Sequence, residues 1–394
     1  LKGGCNRPLT DLPNLGADQS ERSVSHFAPF DATAHWVRPV RSRTTWCEVG
    51  IGGPYARLAG MLVVVAPEPG GPEQLQVAER PVPEPGPGEV LVRVVAAGVN
   101  RADLLQRQGH YPPPRGASEV LGLECAGYVA GLGHASVSSP AEQPSSWRIG
   151  DPCLALLAGG GYAQFVSVPA GQLLTVPEGV DLVTATGLVE VAATVVSNFD
   201  AAAVRPGEVV LIHGGAGGIG SMAIQYAKAL GAVVAATAGS PGKLDYCRSI
   251  GADLAVSYRD DWVGAVRDLS HGRGADVILD VIGAKYLEQH VRLLATGGRL
   301  VVIGLQGGTK ATLDLGRLLG IRGSVLATTL RSRPIDQKAA ICRRVEEVIW
   351  PLVAEGAIVS APQTRFTLQQ VVEAHRHLES GDNLGKVVLT IDTA

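Results

Sequence analysis

Residues 209–220 read VVLIHGGAGGIG, a short apolar strand that runs directly into a glycine-rich turn. The turn contains G-x-G-x-x-G and G-x-x-G-x-x-G in overlapping registers. Because 50 of the 394 residues are glycine, this spacing alone identifies no site and could reflect packing. Its position between a strand and an amphipathic helix over 220–230 indicates a site for the pyrophosphate of a dinucleotide. The backbone predicted to contact the pyrophosphate belongs to Gly214, Gly215, Gly217, Gly218, Ile219 and Gly220.

Downstream of this turn, apolar strands alternate with helical segments. After the strand at 209–213, the further strands are predicted at 233–238, 254–258, 277–281, 299–303 and 324–328. Strands that are apolar along their whole length, separated by helices, are typical of a parallel sheet covered on both faces. We therefore predict a doubly wound α/β domain of the Rossmann type over residues 184–329.

The flanking segments have a different pattern. Residues 61–183 contain short β-forming runs, such as 90–95, 120–129 and 162–168, separated by Pro- and Gly-rich turns. After about residue 330, one long helix over 337–355 and two short strands follow. The economical architecture is a discontinuous β-rich domain, formed by 61–183 and 330–394, into which the Rossmann domain is inserted.

Residues 1–60 do not share the pattern of the rest. Regular strand periodicity begins at Met61, the first of two methionines. Basic residues such as Arg38 and Arg41 suggest a targeting segment, but acids such as Asp11 and Asp18 are rare in transit peptides. A disordered or non-native extension is the favoured interpretation, and a targeting segment is the alternative.

Composition excludes several classes of protein. A net charge of −3 gives no general basic surface for nucleic acid, and 46% apolar residues provide for a large core. No uninterrupted apolar stretch reaches the roughly 18 residues of a membrane span. The six cysteines lie too far apart for Cys-x-x-Cys sites, and we expect inert thiols in a reducing, cytoplasmic compartment.

The second strand indicates which dinucleotide binds. An NAD site has an acid about 20 residues after the glycines, whereas residues 238–243 read AGSPGK. The hydroxyl of Ser240 and the ammonium of Lys243 suit a 2′-phosphate, and Tyr258 could close the same pocket. The sequence therefore predicts NADPH, while Lys243 as a solvated lysine at a helix start is the alternative.

Three further segments, together with the glycine turn, carry a family resemblance. They are NRADLLQRQGHY at 100–111, GASEVLGLECAG at 116–127 and NLGKVVL at 383–389. Residues 61–394 resemble the quinone oxidoreductase branch of the medium-chain dehydrogenase/reductases, including the tumour-suppressor-inducible NADPH:quinone oxidoreductases. The resemblance implies a GroES-like β-rich catalytic domain beside the Rossmann domain, and a homodimer. Open sheet edges paired across a two-fold axis agree with that dimer.

The resemblance also implies site residues. Asn100 and Tyr111 are the catalytic candidates, and His110 beside Tyr111 is more simply a solvated loop residue. Val189 replaces the proline that usually precedes the glutamate aligned with Glu190. The remaining cofactor-binding candidates, from the nicotinamide pocket to the covering segments, are Thr194, Gly239, Ser240, Lys243, Tyr258, Gly283, Gly304, Leu305, Leu330, Arg331, Asn383 and Lys386.

The resemblance to zinc-dependent relatives stops at their metal ligands. Asn100 stands at the position of a ligand cysteine and Leu123 at that of a ligand histidine, so no metal is expected. Without a Lewis acid, an acceptor that is already electrophilic is favoured, such as a quinone or a conjugated carbonyl. We predict hydride transfer from NADPH to a quinone packed on, or hydrogen-bonded to, Tyr111. An enoyl or 2-alkenal reductase is the first alternative, and a crystallin-like or RNA-binding nucleotide-binding protein is the second.

Overall fold

The computed structural model describes residues 60–133 and 146–392. The expectations for residues 1–59 therefore lie outside the described residues. The strands are β1 (Met61–Val65), β2 (Gln76–Arg80), β3 (Glu89–Val99), β4 (Glu124–Leu132), β5 (Pro152–Leu156), β6 (Phe165–Pro169), β7 (Leu173–Leu174), β8 (Val209–His213), β9 (Val233–Ala238), β10 (Leu254–Ser257), β11 (Ala275–Asp280), β12 (Leu294–Val302), β13 (Ser324–Ala327), β14 (Gln363–Thr367) and β15 (Lys386–Thr390).

The helices connect these strands or pack against the sheets. They are α1 (Arg101–Arg107), α2 (Leu182–Thr186), α3 (Val189–Ala202), α4 (Gly218–Ala229), α5 (Pro241–Ser249), α6 (Trp262–Leu269), α7 (Leu287–Leu293), α8 (Leu315–Gly320), α9 (Ile335–Val348), α10 (Trp350–Ala354) and α11 (Val371–Ser380). In the described part of the chain, no helix is both long and apolar enough to cross a membrane.

The predicted Rossmann-type sheet is confirmed. Strands β8 to β13 are all parallel and lie in the order β10-β9-β8-β11-β12-β13. Alternate residues of β8 enter different cores: Ile212 packs with α3 and α4, and Leu211 packs with Trp262 and Val266 of α6. The strand order reverses between β8 and β11, which places a ligand crevice at their carboxyl ends.

The GroES-like part contains a seven-stranded sheet in the order β14-β15-β3-β4-β5-β7, with β6 also paired to β3. Strand β15 pairs antiparallel with β3, so that Val387 lies opposite Val99. Strands β14 and β15, which follow the Rossmann segment, thus complete a sheet whose other strands precede it. The predicted α/β fold class with a discontinuous GroES-like domain is confirmed, and the boundaries at residues 183 and 330 remain predictions.

Two helical segments differ from the sequence prediction. The single helix expected over 337–355 is divided into α9 and α10, because Pro351 in the first turn of α10 has no N–H to continue the ladder. Helix α3 is not among the helices predicted from the sequence. Most of its residues are buried, so that it lacks the polar face by which an amphipathic helix is recognised.

Candidate active site

The glycine turn leaves no room for side chains where it bends. Gly214 has a φ of 71°, and the amide of Gly215 donates to Thr237 O at 2.9 Å, which ties the turn to β9. A Cβ atom on Gly220 would lie 2.2 Å from Gly214 O, and one on Gly215 would lie 2.9 Å from Cys247 Sγ. The chain therefore turns from β8 into α4 in a conformation that only glycine can adopt at these points.

This turn fits a dinucleotide pyrophosphate. Gly217 is the N-cap of α4 and provides no side-chain cap, so no capping side chain stands between the first-turn amides of the helix and an anion. Val191 of α3 lies close to Gly218, and Gly385 donates its amide to Ala216 O at 2.9 Å. Loop 383–385, which contains the predicted residue Asn383, is thereby placed beside the turn; its role toward the cofactor stays a prediction.

The residues predicted to hold a 2′-phosphate lie together at the ends of β9 and β10. The Tyr258 ring packs on Gly239, where a Cβ atom would lie 2.8 Å from the ring. Arg259 lies over that ring at 4.6 Å and donates to Gly239 O, and the Lys243 ammonium donates to Gly381 O. Among the described residues, neither cation has a carboxylate partner. Together with Ser240, the N-cap of α5, they form a positively charged pocket that suits a phosphate.

The other half of the crevice is made of two interlocked loops after β11 and β12. Gly283 has a φ of 77°, and a Cβ atom there would lie 2.9 Å from Leu305 Cδ2. Gly304 lies similarly close to the Val281 backbone, and Asp280 accepts hydrogen bonds from the amides of Ile282 and Gly283. The three predicted residues Gly283, Gly304 and Leu305 are therefore neighbours at the switch point, and Leu305 is exposed there.

Side chains from four distant segments form a buried polar group that we call the junction cluster: Asn100, Glu124, Glu190, Thr194 and Lys386. The Lys386 ammonium donates to Glu124 Oε1 at 2.6 Å and to Asn100 Oδ1 at 2.7 Å. Glu124 Oε2 accepts the amide of Glu190 at 2.8 Å, and Asn100 Nδ2 donates to Glu124 Oε1 at 2.9 Å. A fully buried carboxylate is thus paired with a lysine and joins β4, α3 and β15.

Within the junction cluster, Glu190 has an open oxygen. Thr194 Oγ1 donates to Glu190 Oε1 at 3.1 Å, whereas the buried Oε2 has no hydrogen-bond partner in the part of the chain that the structure describes. Burial raises the pKa of Glu190 to about 7, although the nearby Lys386 ammonium opposes the shift. A carboxyl with this pKa exchanges a proton near neutral pH. Glu190 lies in the first turn of α3, the helix that contacts the glycine turn through Val191.

Asn100 is fixed by a second buried carboxyl, Asp103. Asp103 accepts the amides of Asn100 at 2.8 Å and Gly122 at 3.0 Å, together with the Tyr162 hydroxyl at 3.2 Å. Burial raises the pKa of Asp103 to about 6 against the effect of these hydrogen bonds. Asp103 therefore sets the start of α1, and with it the position of Asn100.

Tyr111 and Arg331 meet at the edge of the GroES-like part. The Arg331 guanidinium lies 5.3 Å from the Tyr111 ring centre and donates to Tyr111 O at 3.1 Å. It also donates to Ala158 O and to Gln106 Oε1, and the Tyr111 hydroxyl bonds Thr329 Oγ1 at 3.0 Å. Arg331 is buried and neighbouring Leu330 is partly buried, so Arg331 positions Tyr111 and is not freely open to solvent.

Two residues of the crevice, Arg259 and Glu190, were not predicted from the sequence to have a role. A third, Lys386, is placed differently from its prediction. Arg259 adds a cation beside Tyr258, and its position one residue after a predicted strand end was the available signal. Glu190 was identified only as the residue aligned with the family's glutamate, without a role. No local sequence pattern indicates that its carboxyl is buried. Lys386 was expected to cover the cofactor; its methylene groups do lie against Gly218, but its ammonium is bound to Glu124 and Asn100. His110 is exposed.

A second buried polar group, the histidine pair, lies behind the glycine turn. His213, the last residue of β8, bonds Thr237 Oγ1 at 2.9 Å and His290 Nε2 at 2.8 Å. Burial lowers the pKa of His290 to about 3 and that of His213 well below its usual range. Asp280 lies 3.6 Å from His290 Nδ1, and burial raises the pKa of its carboxyl to about 6. The pair is therefore neutral and structural.

The described ranges 60–133 and 146–392 contain no group of three or more His, Cys, Asp or Glu side chains placed to hold a metal ion.

The chain is similar to two families of known proteins. Residues 218–345 match the zinc-binding dehydrogenase family, and residues 86–178 match the alcohol dehydrogenase GroES-like domain.

Among curated proteins, the chain is 30% identical over 343 residues to a mycocerosic acid synthase-like polyketide synthase of Mycobacterium tuberculosis. That match covers 85% of this chain but only 16% of the synthase. A 2-haloacrylate reductase of a Burkholderia species is 29% identical over 84% of this chain and 98% of its own length.

Solved structures of oxidoreductases are also similar to this chain. A probable oxidoreductase from Mycobacterium abscessus has a TM-score of 0.71 and 30% identity, over 84% of this chain and 99% of its own. Mycobacterial Rv1454c complexed with NADPH has a TM-score of 0.74 and 29% identity, with the same coverage. A quinone oxidoreductase of Pseudomonas syringae pv. Tomato DC3000 has a TM-score of 0.74 and 27% identity, again over 84% and 99%.

Proposed function

The chain belongs to the medium-chain dehydrogenase/reductase superfamily, and from that premise we propose that it is an NADPH-dependent reductase of a double bond conjugated to a carbonyl group. The observation that carries the proposal is Glu190, a buried carboxyl that is hydrogen-bonded to Thr194 and has one open oxygen beside the nucleotide-binding turn. Reducing such a bond requires one hydride and one proton. NADPH, when bound, supplies the hydride.

The residues of this chain have separable tasks in the proposed reaction. The glycine turn binds the pyrophosphate through backbone amides, and Ser240, Lys243 and Arg259 bind the 2′-phosphate. Tyr111 packs against the acceptor and keeps water away from it. In its protonated form Glu190 would reverse its hydrogen bond with Thr194 and donate to Thr194 Oγ1, while the Thr194 hydroxyl passes its own proton to the carbon next to the carbonyl group. A complex of Rv1454c with NADPH supports the choice of cofactor.

The direct test follows NADPH oxidation with a 2-alkenal, with 2-chloroacrylate and with 1,2-naphthoquinone, with NADH run in parallel. Turnover of the conjugated alkenes with NADPH supports the proposal. Tight NADPH binding without reduction of any acceptor would contradict it and would favour a nucleotide-binding protein that is not an enzyme.

The role of Glu190 is tested by its pH dependence. Because the proton-donating form exists below a pKa of about 7, kcat for the alkenal should fall as pH rises through that value. Glu190→Gln should lower kcat about tenfold to a hundredfold and flatten the profile, with little change in NADPH affinity. An unchanged profile in Glu190→Gln would remove Glu190 from the proton route.

Quinone reduction is the second candidate, supported by the similarity to the P. syringae quinone oxidoreductase. A quinone takes its proton on oxygen, where water can supply it. Glu190→Gln should therefore leave 1,2-naphthoquinone reduction almost unchanged. Fast turnover of the quinone together with no turnover of the alkenes would make this candidate the function.

The edge of the Rossmann sheet supports a homodimer. Val325 of edge strand β13 is exposed, and Leu315 and Leu319 of the neighbouring α8 are 68% and 80% exposed. Pairing of β13 with the same strand of a second copy would cover this apolar edge. Light scattering should give the mass of a dimer for the protein and of a monomer for Leu319→Lys. Equal masses would contradict the pairing.

A further inference from the structure

A cavity of about 520 Å³, here called the α9 cavity, lies where the start of α9 meets the GroES-like sheet. Apolar side chains form much of its wall, including Val120, Leu156 and Phe165. Two buried cations, Arg331 and Lys338, also line it. Neither the glycine turn nor Glu190 is part of the cavity wall.

Lys338 is the unusual member of the lining. Only 5% of the residue is exposed, and within the described ranges its ammonium has no hydrogen bond and no ion pair. Burial lowers the pKa of Lys338, and the nearby Arg331 charge lowers it further. The side chain lines the cavity without a protein partner in the described ranges, so a ligand that supplies negative charge at this point would be favoured.

The start of α9 adds to the positive potential. Pro334 is the N-cap and offers no side chain to the first-turn amides of this 14-residue helix. Pro334 and Ile335 both line the cavity, one turn before Lys338. The positive end of the helix dipole and the Lys338 ammonium therefore act on the same space.

The charged side chains of the described cavity lining also give the α9 cavity a net positive charge. Its cations are Arg115, Arg331, Arg333 and Lys338, and its single carboxylate is Glu89. Glu89 Oε2 already accepts the Gly86 amide at 2.9 Å and the Ser167 hydroxyl at 2.8 Å. The positive charge of the α9 cavity is therefore not neutralised from within the described lining.

We propose that the α9 cavity binds the carboxylate of the electron acceptor, which makes the substrate class an α,β-unsaturated carboxylic acid with a short apolar chain. Arg331 connects the two sites, because it lines the cavity and also contacts the ring and backbone of Tyr111. An acid held in the cavity by its carboxylate would lie beside Arg331, the residue that contacts Tyr111. The identification of this acid as the acceptor rests on the proposed reductase function.

Binding is tested without turnover. Calorimetry on the NADPH-loaded protein uses 2-chloropropionate, a saturated acid that cannot be reduced. Lys338→Met should raise its Kd at least tenfold, equivalent to about 1.4 kcal/mol, and Lys338→Arg should restore most of the affinity. Lys310→Met removes an exposed positive charge elsewhere and should change nothing. Equal Kd values for the protein and Lys338→Met, or no binding to either, would overturn the proposal.

Kinetics distinguish a substrate site from a structural role. In Lys338→Met, KM for 2-chloroacrylate should rise at least tenfold, while KM for its neutral methyl ester and for NADPH stays the same. A parallel loss with acid and ester would overturn the proposal, because Lys338 would then only maintain the fold. If 2-chloropropionate binds through Lys338 but no acceptor is reduced, the anion site stands and the proposed reductase function fails.

A phosphorylated acyl carrier offers negative charge from a different source. Crotonyl-CoA and free crotonate carry the same acyl group, so comparing them in the protein and in Lys338→Met identifies the source. Dependence on Lys338 for crotonate supports the carboxylate site. Dependence for crotonyl-CoA alone would overturn it in favour of a phosphate site.

Discussion

The glycine turn and the junction cluster lie next to each other in the crevice but are built in opposite ways. The turn uses the backbone of consecutive residues, and its geometry follows from the missing side chains at Gly215 and Gly220. The junction cluster uses side chains from residues 100, 124, 190, 194 and 386, and its geometry follows from burial and charge pairing. The turn is therefore sensitive to added volume, whereas the cluster is sensitive to removed charge.

Lys386→Met should have the largest effect on stability. It leaves the fully buried Glu124 carboxylate without its ammonium, and breaking a buried pair in this way costs about 3–5 kcal/mol. Denaturant unfolding at neutral pH measures the loss. The matched control is Lys228→Met at the half-exposed Lys228–Asp253 pair, which should cost less than about 1 kcal/mol. Glu124→Gln in the Lys386→Met background should recover much of the stability, and similar losses at both lysines would refute the comparison.

Gly220→Ala should break the turn and leave the junction cluster intact. The new Cβ atom would lie 2.2 Å from Gly214 O, so the backbone must move away from the position that binds pyrophosphate. NADPH affinity, measured by fluorescence titration, should fall about a hundredfold, equivalent to about 2.7 kcal/mol. Gly320→Ala places its Cβ atom in open space and serves as the control. Full NADPH affinity in Gly220→Ala would mean that the turn does not bind the cofactor.

The same contrast explains what the sequence could predict. Residues 209–220 reveal the turn because strand, glycines and helix are contiguous, and the six parallel strands follow from their own apolar runs. The junction cluster requires β15 to pair beside β3 across nearly 290 positions, as the Lys386–Asn100 contact shows. No local pattern contains that pairing, so Asn100 and Lys386 were identified by resemblance and Glu190 was not identified as functional.

The proposed 2′-phosphate site, at the ends of β9 and β10, is intermediate between the glycine turn and the junction cluster. Ser240 and Lys243 lie close together in the sequence and were predicted from the missing acid after β9. Arg259 enters from the neighbouring strand β10, and its contact with Tyr258 depends on the parallel register that places Ser257 beside Ala238. For a pocket built on two adjacent strands, the sequence thus predicts the residues that follow one strand but not the contact made from the other.

Lys243→Met sharpens the comparison at this intermediate site. Losing one charged contact to a phosphate should raise KM for NADPH about tenfold, equivalent to about 1.4 kcal/mol, and leave KM for NADH unchanged. Arg259→Met should act in the same direction, and Lys310→Met should do neither. Equal losses for NADPH and NADH would show that Lys243 supports the fold rather than recognising the 2′-phosphate.

The smallest expected effect concerns the histidine pair, which supports the glycine turn from behind. His290 has a folded-state pKa of about 3, below its usual value of 6.5. At pH values between the two, the unfolded chain binds a proton that the folded chain does not. The stabilisation from His290 is therefore complete above about pH 6.5 and decreases as pH falls toward 3.

His290→Gln removes this dependence. From about pH 7.5 to about pH 6, the unfolding free energy of the protein should fall by about 0.8 kcal/mol more than that of the variant. Asp280 has the opposite sign, since its raised pKa favours the folded state at low pH, but it is present in both proteins and cancels in the difference. Denaturant unfolding at the two pH values measures the effect. Parallel pH profiles would mean that His290 takes up its proton in the folded protein at the same pH as in the unfolded chain, so that burial behind the turn does not lower its pKa.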